Sequence, residues 1–280
     1  MKDAEINDIA IDLFVEALYR RYGYDFRNYA RASLKRRVKE LALALGFNHV
    51  SELISPLLHD PAFVDQVVPK LSVPVTEMFR DPAVFLAMRR QVLPVLASYP
   101  RINIWQAGCA TVEEVYSLAI MLKEEGLYDR ARIYATDIND VALARAEEGI
   151  FALRHLKDFS ANYLKAGGRQ SLSDYYHAAY EHASMDRSLK ENMVFARHNL
   201  ASDGVFCEVN MIVCRNVLIY FDRLLQNRVL RLFRDSLIRQ GFLCLGTRES
   251  LRFSEIGDDF AAVDEDQKLY RKVLIAVGES

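Results

Sequence analysis

Long apolar runs are missing from this 280-residue sequence, and none approaches the ~18 residues of a membrane-spanning helix. The opening stretch MKDAEINDIAID is acidic and lacks the basic-then-apolar order of a secretion signal, so a cytoplasmic location without membrane insertion is expected. Cysteine is scarce. The four present (Cys109, Cys207, Cys214 and Cys244) include no CxxC pair, which excludes a zinc-ribbon or disulfide framework and implies no metal. Three of them lie in apolar runs and are expected to be small buried residues in a reducing compartment. An excess of one charge is also missing: 36 basic against 38 acidic residues leave a net charge of −2, so the whole-chain field offers nothing to nucleic acid. Repeats and low-complexity segments are absent as well.

What is present is ordinary globular material, 51% hydrophobic and 26% charged, enough for one large or two modest domains. No strand pattern precedes residue 100. IAIDLFVEALYRRYG has helical apolar spacing and a stop at Gly23. In RNYARASLKRRVKELALALG, Leu34, Val38, Leu41 and Leu45 form a core stripe that Gly46 ends. VSELISPLLHD and PAFVDQVVPKLS predict two shorter helices. Acids crowd residues 1–19 and bases crowd residues 20–39. Arg27, Arg31, Lys35 and Lys39 recur every four residues along one helix face. That face is either a solvated one or a docking surface for an acidic partner.

From about residue 85 strand and helix alternate. RINIWQAG, ARIYATD, NMIVCRNVLIYF, FLCLG and KLYRKVLIAV read as strands. EEVYSLAIMLKEEG, NDVALARAEEG and LLQNRVLRLFRDSLIRQG read as helices. Repeated β-α-β units predict an α/β fold, a mostly parallel sheet with helices on both faces. Ligands in such sheets bind at the carboxyl ends of the strands. The polar, aromatic stretch 151–193 interrupts the alternation and predicts an insertion with its own short helices or hairpin.

AGCATVEEVYSLAI follows the first strand, yet the GxGxxG fingerprint of dinucleotide sites is absent. Gly108 permits close approach of a ligand, and Thr111 is placed to cap the next helix. Glu113 and Glu114 in the first turn would repel a pyrophosphate and favour a cationic ligand. Asp137, at the tip of the following strand, can accept both ribose hydroxyls. An adenosine-type ligand with a cationic, phosphate-free tail fits both, and S-adenosylmethionine matches.

VTEMFRDP (residues 75–82), AGCATVEEVYSLAI, ARIYATDIN, VFARHNL (194–200) and CRNVLIYF (214–221) occur in this order. Together with the helical lead GYDFRNYARASLKRRV they resemble the CheR family of chemotaxis receptor methyltransferases over nearly the whole chain. The resemblance implies a helical N-terminal domain (1–72), a linker reaching the cofactor (73–90) and a Rossmann-like methyltransferase domain (91–280) carrying the insertion. It implies methyl transfer from S-adenosylmethionine to glutamate carboxylates of chemoreceptor cytoplasmic domains, by a monomer, leaving S-adenosylhomocysteine. It places Thr76, Arg80, Gly108, Glu113 and Asp137 at the cofactor, Asn199 and Leu200 beside the adenine, and Asn216, Val217 and Tyr220 at the reacting end. Arg80 and Tyr220 would be the catalytic pair, holding the acceptor carboxylate.

Two positions depart from the family pattern. Pro74 stands where an asparagine is usual. Val112 stands where glycine is usual, and three outcomes are open: strain at a positive φ, obstruction of the cofactor by its γ-carbons, or a harmless helical position. Obstruction would make the chain a weakened homologue that binds its partner without methylating it. A methyltransferase acting on a small molecule or another protein is the third reading, and the basic face and insertion favour a macromolecular acceptor.

Overall fold

The computed structural model describes residues 3–72 and 76–273. Pro74 and the end of the expected last strand lie outside the described residues.

Four helices come first: α1 (Asp3–Tyr22), α2 (Arg31–Ala44), α3 (Ile54–His59) and α4 (Val64–Leu71). Their apolar faces close on one another around Ile11, Phe14, Leu18, Leu34, Val38 and Leu41, which are almost fully buried. The predicted stripe of α2 therefore faces this core, with Leu45 only partly covered. The short α5 (Pro82–Ala87), a π-turn over Met88–Val92 and α6 (Leu93–Leu96) lead into the sheet.

The strands and helices that follow are β1 (Ile102–Ala107), α7 (Glu113–Glu124), β2 (Ala131–Asp137), α8 (Asp140–Glu148) and β3 (Ile150–Ala152). Next come α9 (Leu156–Lys165), β4 (Tyr176–Ala179), β5 (His182–Met185) and β6 (Met193–Arg197). The chain continues with β7 (Val209–Cys214), α10 (Arg223–Ser236), β8 (Leu237–Leu245), β9 (Phe260–Asp264) and β10 (Leu269–Lys272). Seven strands form one sheet in the order β6-β2-β1-β7-β8-β10-β9. The first five run parallel, and β10 is antiparallel to both β8 and β9. The expected α/β alternation is thus present. The order reverses beside β1, where a ligand crevice opens at the strands' carboxyl ends.

Alternate side chains of the central strands enter two different cores. Ile102 and Ile104 of β1 face one with Met211 and Val213 of β7, while Trp105 and Ala107 face the other with Ile212 and Cys214. Helix α7 is buried all round from Val115 to Leu122, where a helix on one face of a sheet would keep a solvated side. The insertion explains this. It builds α9 and a small antiparallel sheet, β3-β5-β4, against the outer side of α7, with Tyr116 meeting Phe151 edge-on at 5.7 Å. Arg89, in the π-turn, bonds the Ala166 carbonyl at 3.1 Å and ion-pairs with Glu124 and Glu125, pinning α9 to α7.

Two strands were not expected. β6 overlaps VFARHNL, whose polar flanks conceal it, and β9 is a short edge strand in which only Phe260 is buried. Cys109, Cys214 and Cys244 are buried as expected and all four cysteines are free. Among the described residues no helix is long and apolar enough to cross a membrane, and no group of three or more His, Cys, Asp or Glu is arranged to hold a metal ion.

Candidate cofactor and acceptor site

A cleft opens over the carboxyl ends of β1, β2, β6 and β7, roofed by the N-terminal helical unit. Its floor begins where β1 ends. The amides of Gly108 and Cys109 both donate to the Thr136 carbonyl of β2, at 2.8 and 2.9 Å. Trp105 Nε1 donates to Thr136 Oγ1 at 2.8 Å from the other side of the sheet. Gly108 has φ +71°, and a β-carbon there would come 2.6 Å from Val217 Cγ2, so glycine alone fits.

Asp137, at the tip of β2, accepts the Ala110 amide on one oxygen and the Asn139 amide on the other, each at 2.9 Å. Each oxygen keeps a lone pair for a further donor, as a ribose hydroxyl would require. Burial pushes the Asp137 carboxyl up, against the pull of these amides. A polar ligand that donates to it would return part of the lost hydration.

The two glutamates of the loop divide. Thr111 does not cap α7; Val112 is the N-cap, and Thr111 donates its hydroxyl to Glu113 at 2.8 Å. Burial raises the Glu113 carboxyl to about 7. The cleft is lined by Glu114 and not by Glu113. Glu114 is buried, accepts from Gln106 Nε2 at 2.8 Å and ion-pairs with Arg215. Arg215 in turn reaches Asp81 at 2.6 Å and the Arg80 carbonyl at 3.1 Å. This buried network ties FRDP, the glycine loop and CRNV into one wall.

Val112 has φ +67° and ψ 6°, a left-handed conformation that is strained for a β-branched residue. Its side chain is fully buried in the core under α7 and is not part of the cleft lining. Of the three outcomes the sequence left open, strain is the one present, without obstruction. Asn216 is also left-handed, at φ +60°.

Thr76, Arg80, Asn199, Leu200, Val217 and Tyr220 all line the cleft, as do Gly108, Asp137 and Asn216. The Arg80 guanidinium has no hydrogen bond or ion pair among the described residues, unlike its neighbour Arg215. Asn199 donates to the Gly23 carbonyl at 3.3 Å. Tyr220 carries the Arg37 guanidinium on its ring, 4.4 Å from the centroid, and Arg37 is anchored on the Leu71 carbonyl.

Several lining residues come from the helical unit, and these the sequence did not reveal: Tyr29, Arg37 and Ser72. Ser72 accepts from Asn139 Nδ2 at 2.9 Å and Tyr24 donates to Asp140 at 3.2 Å. Tyr29 forms an antiparallel bridge with Phe221, and Ala30 donates to the Tyr220 carbonyl at 2.8 Å.

The basic stripe differs from a free docking surface, and only Arg31, Lys35 and Lys39 of it lie on α2, since Arg27 sits in the turn before that helix. Arg27 is paired with Asp25 and Glu16, Arg31 with Asp8 and Asp12, and Lys35 with Asp8. The acids that crowd the first helix therefore neutralise three of the four bases, and only Lys39 has no ion pair among the described residues. The segregated charges read from the sequence are two faces of one internal contact.

Comparison with known proteins agrees with this geometry. A family described as "CheR methyltransferase, SAM binding domain" matches residues 74–268, and "CheR methyltransferase, all-alpha domain" matches residues 9–72. The chain is 49% identical over 265 residues to "Putative methyltransferase Cher3" of Pseudomonas putida, covering 95% of this chain and 97% of that one. It is 27% identical over 245 residues to "Chemotaxis protein methyltransferase" of Listeria monocytogenes, covering 85% and 88%. It is likewise 27% identical over 278 residues to the protein of that name from Salmonella typhimurium, covering 91% and 88%.

Proposed function

The chain belongs to the CheR methyltransferase family and is an S-adenosylmethionine-dependent methyltransferase, and from that premise we propose that it methylates glutamate side chains of chemoreceptor cytoplasmic domains. The observation that carries the acceptor's chemistry is Arg80: a guanidinium with no partner among the described residues, in a cleft whose acids, Asp137 and Glu114, already have partners. A planar cation without an anion is suited to bind an incoming carboxylate through two parallel hydrogen bonds.

The bound cofactor supplies an electrophilic methyl group carried on a sulfonium. Asp137 would accept the ribose hydroxyls, and Asn199 and Leu200 would flank the adenine. Gly108 would let the ligand lie against the backbone, and Thr76 would reach it from the linker. Asn216 and Val217 would border the reacting end. Arg80 orients the acceptor, and Tyr220, held by the Arg37 guanidinium on its ring, limits where that carboxylate can settle. A glutamate is ionised near neutral pH, so alignment and exclusion of water are what the protein must contribute, not a strong base. The binding-only alternative required Val112 to obstruct the cofactor, and the position of that side chain gives it no support.

The test is transfer of labelled methyl from S-adenosylmethionine to a purified chemoreceptor cytoplasmic fragment. The expected product is a carboxyl methyl ester, read as methanol released by alkali. Arg80→Ala should lower kcat by at least about tenfold with S-adenosylhomocysteine affinity changed far less. An alkali-stable product, or no transfer by the wild type, would sink the proposal.

A further inference from the structure

Outside the ligand-lined part of the cleft, one rim carries a surface that the activity above does not account for. Ile219 is 37% exposed although it lines the cleft, Leu224 is 75% exposed and Phe253 is 78% exposed. These are large apolar groups at one edge of a reaction site. Three exposed arginines, Arg223, Arg248 and Arg252, accompany them. None of the three forms an ion pair among the described residues. Arg223 reaches only the Phe253 carbonyl, at 3.5 Å, and Arg252 lies over the Phe253 ring, 5.6 Å from its centroid.

The surface is held to the cleft by Glu249. Its carboxylate accepts the amides of Gly246, Asn216, Val217 and Ile219, so the turn that bears Arg248 and Arg252 is fixed to the loop that bears Asn216. Two acids close to these arginines in sequence are engaged elsewhere. Asp222 caps α10 through the Leu225 amide, and Glu255 pairs with Arg231. In a chain of net charge −2, where three of the four bases of the first stripe are paired internally, this is a cationic patch with no paired acid among the described residues.

We propose that Ile219, Leu224 and Phe253, with Arg223, Arg248 and Arg252, form the docking surface for an acidic, amphipathic segment of the acceptor protein flanking the methylated carboxylate. The inference rests on the acceptor being a protein carboxylate. Apolar groups alone would suit any partner. Unpaired arginines among them select one with acids beside its apolar positions, and adjacency to the cleft delivers such a segment to Arg80.

The test measures binding and turnover separately. A chemoreceptor cytoplasmic fragment is titrated into the protein saturated with S-adenosylhomocysteine, for the wild type, the double variant R248E/R252E and Phe253→Ser. Each variant is also assayed for methyl transfer and for S-adenosylhomocysteine affinity, which reports intact folding. Expected are a fragment Kd and acceptor KM raised at least tenfold, kcat within about twofold, product affinity unchanged, and a shallower salt dependence for the arginine variant. Unchanged fragment affinity in both variants overturns the inference. So does self-association of the wild type that the variants abolish, since the surface would then join two copies. Fragment binding without ester formation by the wild type would count against the acceptor chemistry proposed above, and the binding titration would still decide the surface.

Discussion

Glu249 holds Asn216 by its backbone: Oε2 accepts the Asn216 amide at 3.1 Å and the Gly246 amide at 2.6 Å, while Oε1 accepts Val217 at 2.9 Å. One carboxylate thus maintains a left-handed residue and the loop on which it sits. Glu249→Gln replaces one acceptor oxygen with a donor that faces amides. A stability loss of about 2–3 kcal/mol is expected in denaturant unfolding, from buried amides left without a partner. S-adenosylhomocysteine affinity should drop about tenfold or more by calorimetry. Unaltered affinity would show that the loop keeps its shape without Glu249.

Val112 sets two opposing effects against each other. A left-handed residue costs roughly 1–2 kcal/mol relative to glycine, and burial of a valine is worth about 1.5–3 kcal/mol. Val112→Gly is therefore expected between about 0.5 kcal/mol more stable and about 2 kcal/mol less stable than the wild type. Val112→Ala loses burial while retaining part of the strain and should be no more stable than the glycine variant, the reverse of the order in a helix interior. All three proteins should bind S-adenosylhomocysteine alike, because the side chain does not line the cleft. Tighter binding by the glycine variant alone would return Val112 to the cofactor.

Glu113 gives a pH dependence of defined sign. Burial raises its carboxyl from 4.5 to about 7 in the folded chain. Between these values the folded protein binds more protons than the unfolded chain, so its contribution to stability falls as pH rises from 4.5 to 7 and then levels off. Glu113→Gln should flatten the stability profile across that window and raise stability at pH 8, by at most about 3 kcal/mol for a shift of this size. A profile as steep as the wild type's between pH 4.5 and 7 would place the burden on another group.

What was legible in the sequence was whatever the chain presents in order. Gly108 and Asp137 stand at strand tips, and a strand tip of a parallel sheet is a site by construction. The choice between Glu113 and Glu114 was not legible. Adjacent helical residues differ by about 100° in direction, and the phase at the start of α7 depends on the left-handed turn at Val112, which valine does not advertise. Tyr29, Arg37 and Ser72 were hidden for another reason. They reach the cleft by packing one domain on another, and no local pattern encodes that. Arg37 was visible only as one more charge in a basic helix. The pairing of that helix with the acids of α1 was equally nonlocal, and it turned a suspected docking face into an internal contact.

The antiparallel bridge between Tyr29 and Phe221 has a consequence for modularity. Two family descriptions divide this sequence close to residue 73, as though a recognition unit preceded an independent catalyst. The cleft ignores that boundary, since its wall includes Tyr29, Arg37 and Ser72. Grafting the second unit onto another recognition domain would transplant a half-walled vessel. The inheritable piece is the pair, and exchange between relatives must carry both.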